Sequence, residues 1–86
     1  VGVTFEQLRQ HAALMLEKPL SFSKEDFIKL VEEYVEGLPE WRKDALLGYK
    51  VPGKVVAVRY RDLPRVLRED EEFFRRYVRA LAEEGV

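Results

Sequence analysis

The chain has 86 residues, 36% of them charged, with a net charge of −1 and no cysteine. That is enough for one domain with one modest core, and it excludes disulfide frameworks and thiolate metal sites. No apolar run approaches the roughly 18 residues of a membrane span, so a cytoplasmic location is expected. The first residue is Val1 rather than Met and nothing there resembles a signal peptide, so 1–86 reads as a single domain belonging to a longer chain. The sequence has no Asn, two Gln and one Met. Few heat-labile side chains among many ions is a thermophile bias.

In chain order, Thr4 and Gln7 form a capping-box pattern and Val3 and Leu8 occupy the staple positions of a first helix over 4–18. Its apolar stripe is Phe5, Leu8, Ala12, Met15 and Leu16, and Pro19 ends it. Ser23 with Asp26 starts a second helix over 24–36, with Phe22 placed to staple onto Phe27. Its stripe is Phe27, Leu30, Val31, Tyr34 and Val35, with Gly37 expected as a left-handed exit. Pro39 suits the first turn of a short third helix, PEWRKDALLG, with Trp41, Ala45 and Leu46 on one side.

Pro52-Gly53 signals a turn, of type II rather than a primed type, between Tyr49-Lys50-Val51 and a valine-rich strand ending at Tyr60. Alternation places Val56, Val58 and Tyr60 on one face and Val55, Ala57, Arg59 and Arg61 on the other. Asp62 and Pro64 can open a helical turn through Leu67. Asp70 caps a final helix over 71–84 carrying Phe73, Phe74, Tyr77, Val78 and Leu81, closed by Gly85. The fold class expected is α+β: a small, mainly helical domain with a β-hairpin or short antiparallel sheet after the third helix.

Charge is unevenly distributed along this plan. Residues 1–40 carry a net −4 and residues 69–86 a net −3, whereas residues 41–68 carry +6. The cations of that middle segment are Arg42, Lys43, Lys50, Lys54, Arg59, Arg61, Arg65 and Arg68, against only Asp44 and Asp62. Arg59 and Arg61 on one strand face would stand about 7 Å apart, a workable pitch for following phosphates. Trp41, Tyr49 and Tyr60 supply flat side chains for stacking. A cationic track beside such platforms is what single-stranded nucleic acid requires, each stacked base contributing about 1–3 kcal/mol. These eight cations are therefore expected to form most of one continuous positive surface, which Arg75, Arg76 and Arg79 could extend. The plainer alternative is that the aromatics are core and the arginines serve surface ion pairs.

No catalytic constellation competes with this reading. Cysteine is absent, Ser21, Ser23 and Thr4 stand at helix starts, and His11 is a lone helical histidine without partners for a base or metal site. The acidic runs Glu32-Glu33 and Asp70-Glu71-Glu72 are ordinary helix-surface and first-turn acids, and no glycine-rich phosphate loop is present. A binding protein without cofactor or metal is expected, not an enzyme.

The thermophile composition, the middle WRKDALLGYKVPGKVVAVRYRDLPRVLR and the last helix DEEFFRRYVRALAEEG together resemble ThermoDBP, the non-OB single-stranded DNA-binding proteins of the archaeal Thermoproteales. The resemblance implies single-strand binding in an apolar cleft with basic flanks, serving replication and repair. It also implies homodimer formation through a C-terminal leucine zipper. No leucine heptad run is present in 1–86, so such a zipper would lie beyond Val86. Two other functions fit the element order and charge. One is a winged-helix duplex-binding transcription factor, reading DNA through PEWRKDALLG. The other is a protein-interaction module whose basic surface meets an acidic partner while Phe73 and Phe74 fill the partner's pockets. Nothing in the residues separates DNA from RNA.

Overall fold

The structure, a computed structural model, describes residues 2–20, 22–51 and 53–84, and the side chains of 49–51, 54–56 and 84 lie outside that description. Among the described residues, five α-helices and a two-stranded antiparallel sheet make an α+β domain that is mainly helical. Helix α1 (Phe5–Glu17) begins with the full capping box: Gln7 N–H donates to Thr4 Oγ1 at 3.2 Å, and Thr4 N–H donates to Gln7 Oε1 at 2.8 Å. Helix α2 (Lys24–Glu36) is capped by Ser23, whose Oγ accepts from Asp26 N–H at 3.1 Å. Phe22 and Phe27 both close on His11, with ring centroids 5.1 and 5.8 Å away. Helix α5 (Glu71–Glu84) starts with Asp70 Oδ1 accepting from Phe73 N–H at 3.0 Å.

The apolar stripes meet as their spacing requires. Leu8 and Ala12 of α1, Phe27 and Val31 of α2, and Phe73 and Leu81 of α5 are all buried. Helix α4 (Leu63–Glu69) adds Leu63 and Leu67, packing on α2 while α1 lies along α5. Phe27 anchors the centre, edge-on to Phe74 at 5.8 Å. Phe73 and Phe74 are only 2% and 8% exposed, so they are core residues and cannot reach into a partner.

Three expectations are corrected. The third helix, α3, runs only from Glu40 to Lys43, and the residues after it form strand β1 (Leu46–Val51) against β2 (Lys54–Arg59). Pairing from Leu46↔Arg59 to Val51↔Lys54 satisfies the backbone of 46–51, which a helix carrying Gly48 would hold less well. Trp41 and Leu46 consequently share no helical stripe. Second, Gly37 has φ −78°, ordinary right-handed helix, because a tight turn with Leu38 N–H donating to Val35 O at 3.0 Å precedes Pro39 and needs no left-handed residue.

Third, β2 stops at Arg59, and Tyr60–Asp62 form a 3₁₀ turn leading into α4, so Tyr60 and Arg61 do not continue the strand alternation. Gly53 has φ +89°, the left-handed value that the third residue of a type II turn needs. Pro52 and Gly85 lie outside the described residues.

Candidate nucleic-acid interface

One turn of helix, a strand end and a 3₁₀ turn assemble the principal cluster. Pro39 O accepts from Arg42 N–H and Lys43 N–H at 2.9 and 3.1 Å, which winds Trp41, Arg42 and Lys43 into the single turn of α3. Two residues on, Ala45 O accepts from Tyr60 N–H at 3.1 Å, and Leu46 pairs with Arg59. These links bring α3, the open end of the hairpin and the 3₁₀ turn together. Trp41 is 74% exposed and Leu46 65%. Arg59 shares the outer hairpin face with Leu46, Gly48 and Ala57, all exposed, whereas Val58 and Leu47 turn toward the core.

The charges of the cluster fall into two kinds. Lys43 Nζ is 3.2 Å from Glu40, and Arg61 bridges Asp44 at 3.0 Å and Glu40 at 3.2 Å. Hydrogen bonds from Lys43 and then Arg61 hold the Glu40 carboxyl below its usual range, and Asp44, then Glu40, push the Arg61 guanidinium up. Arg42 and Arg59, by contrast, make no ion pair among the described residues. Arg42 is half-buried, close enough to favour the ionised form of the Tyr60 phenol, although burial still pushes that phenol up. Tyr60 packs against the core, so its ring is not open for stacking. Trp41 is the free platform and Tyr60 the packed one.

Further along, Arg65 lies 3.8 Å from Asp62 and 3.2 Å from Glu69, and Arg68 reaches across to α2, 2.6 Å from Glu25 and 3.1 Å from Glu32. The expected continuous positive surface is therefore corrected. Glu25 and Glu32, remote in sequence, fold onto Arg68, and with Glu69 one turn from Arg65 they neutralise the α4 face, while Glu40 pairs with Lys43 and Arg61. Arg59 and Arg61 also lose their shared strand face, because Arg61 belongs to the 3₁₀ turn. The Tyr49, Lys50 and Lys54 side chains lie outside the described residues.

A second feature was not anticipated. A groove of about 990 Å³ runs between the end of α1, β1 and α5. Met15, Leu16, Pro19, Phe22 and Leu47 line it, and α5 contributes three cations, Arg75, Arg76 and Arg79, with two acids, Glu72 and Glu83. Arg75 and Arg76 share the single carboxylate of Glu72, at 3.6 and 3.0 Å. The available signal in the sequence was the leucines at and just after the end of the first helix: Leu14 and Leu20 lie outside its apolar stripe, Leu16, expected in that stripe, stands out of the core, and all three are exposed.

Among the described residues no helix is long and apolar enough to cross a membrane. No protein-family model, curated protein or solved structure matches this chain.

Proposed function

We propose that this chain is a non-enzymatic, cytoplasmic protein that binds single-stranded DNA with little sequence preference, the function its resemblance to ThermoDBP implies. One observation carries the reading: Trp41, the largest side chain in the sequence, stands 74% exposed on the junction that also carries Arg42 and Arg59, two arginines with no carboxylate partner among the described residues. A large aromatic left in water is uncommon enough to ask what covers it. A base stacked on the indole would do so, with phosphates held by Arg42 and Arg59 and Leu46 extending the apolar contact. Lys43 and Arg61, each already paired, contribute less. The flat outer face of the hairpin, with Gly48 opposite Ala57, lets a strand approach the backbone.

The single turn of α3 favours this over duplex recognition, since a winged-helix reader needs a helix long enough to lie in the major groove. Titrating the protein with one sequence as single-stranded DNA, as duplex and as RNA, over a range of salt, tests the proposal. Salt-sensitive binding to the single strand, several-fold tighter than to the duplex, is expected. Equal or tighter duplex binding would refute it.

A further inference from the structure

The groove between α1, β1 and α5 differs chemically from the Trp41 cluster. Its aromatic rings are already engaged: Phe22 packs at 76° on His11, and Phe73 stacks on Tyr77 at 6.1 Å with planes 6° apart. The surfaces left for a ligand are aliphatic, chiefly Met15, Leu16, Pro19 and Leu47. They suit branched side chains better than bases, which need an open ring face. Leu16 is 45% exposed within the groove.

The rim adds a charge pattern of matching scale. Arg75 and Arg79 stand one helical turn apart on α5, about 6 Å along its axis. Their carboxylate neighbours are loose, Glu72 at 3.6 Å and Glu83 at 3.9 Å, and neither guanidinium donates a side-chain hydrogen bond among the described residues. Both side chains are well exposed, at 69% and 72%. Two guanidiniums with unused donors, spaced one turn apart beside an aliphatic trough, complement a helix with leucine-type residues on one stripe and carboxylates four residues apart on its flank.

We propose that this groove docks an acidic amphipathic helix of a partner protein, leaving the Trp41 cluster free for the single strand. The probe is a fluorescein-labelled synthetic helix with leucines at i, i+3, i+4 and i+7 and flanking glutamates at i and i+4, titrated into the full chain. Saturable anisotropy is expected, with shifts of the Met15, Leu16 and Leu47 methyl signals. Replacing both rim arginines (Arg75→Ala, Arg79→Ala) should weaken binding roughly 3- to 10-fold. Leu16→Glu, at a part-exposed site that leaves the circular dichroism spectrum unchanged, should abolish it, and Trp41→Ala should leave it intact. Three results would each overturn the proposal: no saturable binding, equal binding of a peptide with lysines in place of the glutamates, or competitive displacement by oligothymidylate. The last would place the nucleic acid itself in the groove. Loss of peptide binding with DNA binding retained would leave the function proposed for the Trp41 cluster standing.

Discussion

The junction around Trp41 and the outer face of α4 come from one basic stretch of sequence, yet they differ in what their cations can do. At the junction Arg42 and Arg59 have no carboxylate partner among the described residues, and the same junction carries an exposed indole. On α4, Arg68 is held between Glu25 and Glu32 of α2, and Arg65 between Asp62 and Glu69. Hydrogen bonds that Arg68 donates to Glu25 and then to Glu32 push its guanidinium up. A phosphate arriving at α4 must displace carboxylates already in place, whereas at the junction it meets free donors. Cation density along a sequence is thus not the same quantity as positive potential on a surface.

The largest effect expected is on folding, and it separates the two aromatics of the junction. Tyr60→Ala should destabilise the domain by about 2–3 kcal/mol, somewhat less than for a fully buried ring, as read by chemical denaturation. Trp41→Ala should leave the denaturation midpoint nearly unchanged and lower single-strand affinity by about 1–3 kcal/mol with little change in salt slope. If Trp41→Ala instead unfolds the protein, the indole is structural and the contrast fails.

Next in size is the charge comparison itself. Removing both junction arginines (Arg42→Ala, Arg59→Ala) should flatten the salt dependence of binding by about 0.7 per lost phosphate contact, alike for all sequences. The corresponding α4 pair (Arg65→Ala, Arg68→Ala) should leave that slope unchanged. Its cost should appear as a small fall in melting temperature that disappears at high salt, because exposed ion pairs are screened. Equal slopes for the two double mutants would erase the distinction between the regions.

The smallest effect is on pH dependence and touches folding alone. Burial between the Phe22 and Phe27 rings lowers the His11 pKa below 6.5, with Asp26 partly opposing, and its Nε2 has no hydrogen-bond partner among the described residues. The folded state therefore binds fewer protons than the unfolded chain between that depressed value and 6.5. Stability should be fully present above 6.5 and decline as pH falls through the depressed value, read by melting temperature against pH. His11→Phe should remove the decline.

Sequence alone determined the helical frame. The bounds of α2 and α5 coincide with those expected, and α1 differs by one residue at each end, because capping boxes, stripes and the Pro19 stop are local signals whose physics lies within a few residues. The hairpin was legible from Pro52-Gly53 and the valines that follow. Tertiary structure decided the rest. Whether 46–48 became helix or strand depended on a partner strand nine to thirteen residues away, and whether Tyr60 became a platform or a core residue depended on the turn into α4. Above all, which arginines kept their charge available depended on where Glu25, Glu32 and Glu40 folded. Helix caps act over a single turn of chain, but electrostatic neutralisation acts through space, between residues that only the fold brings within hydrogen-bonding distance.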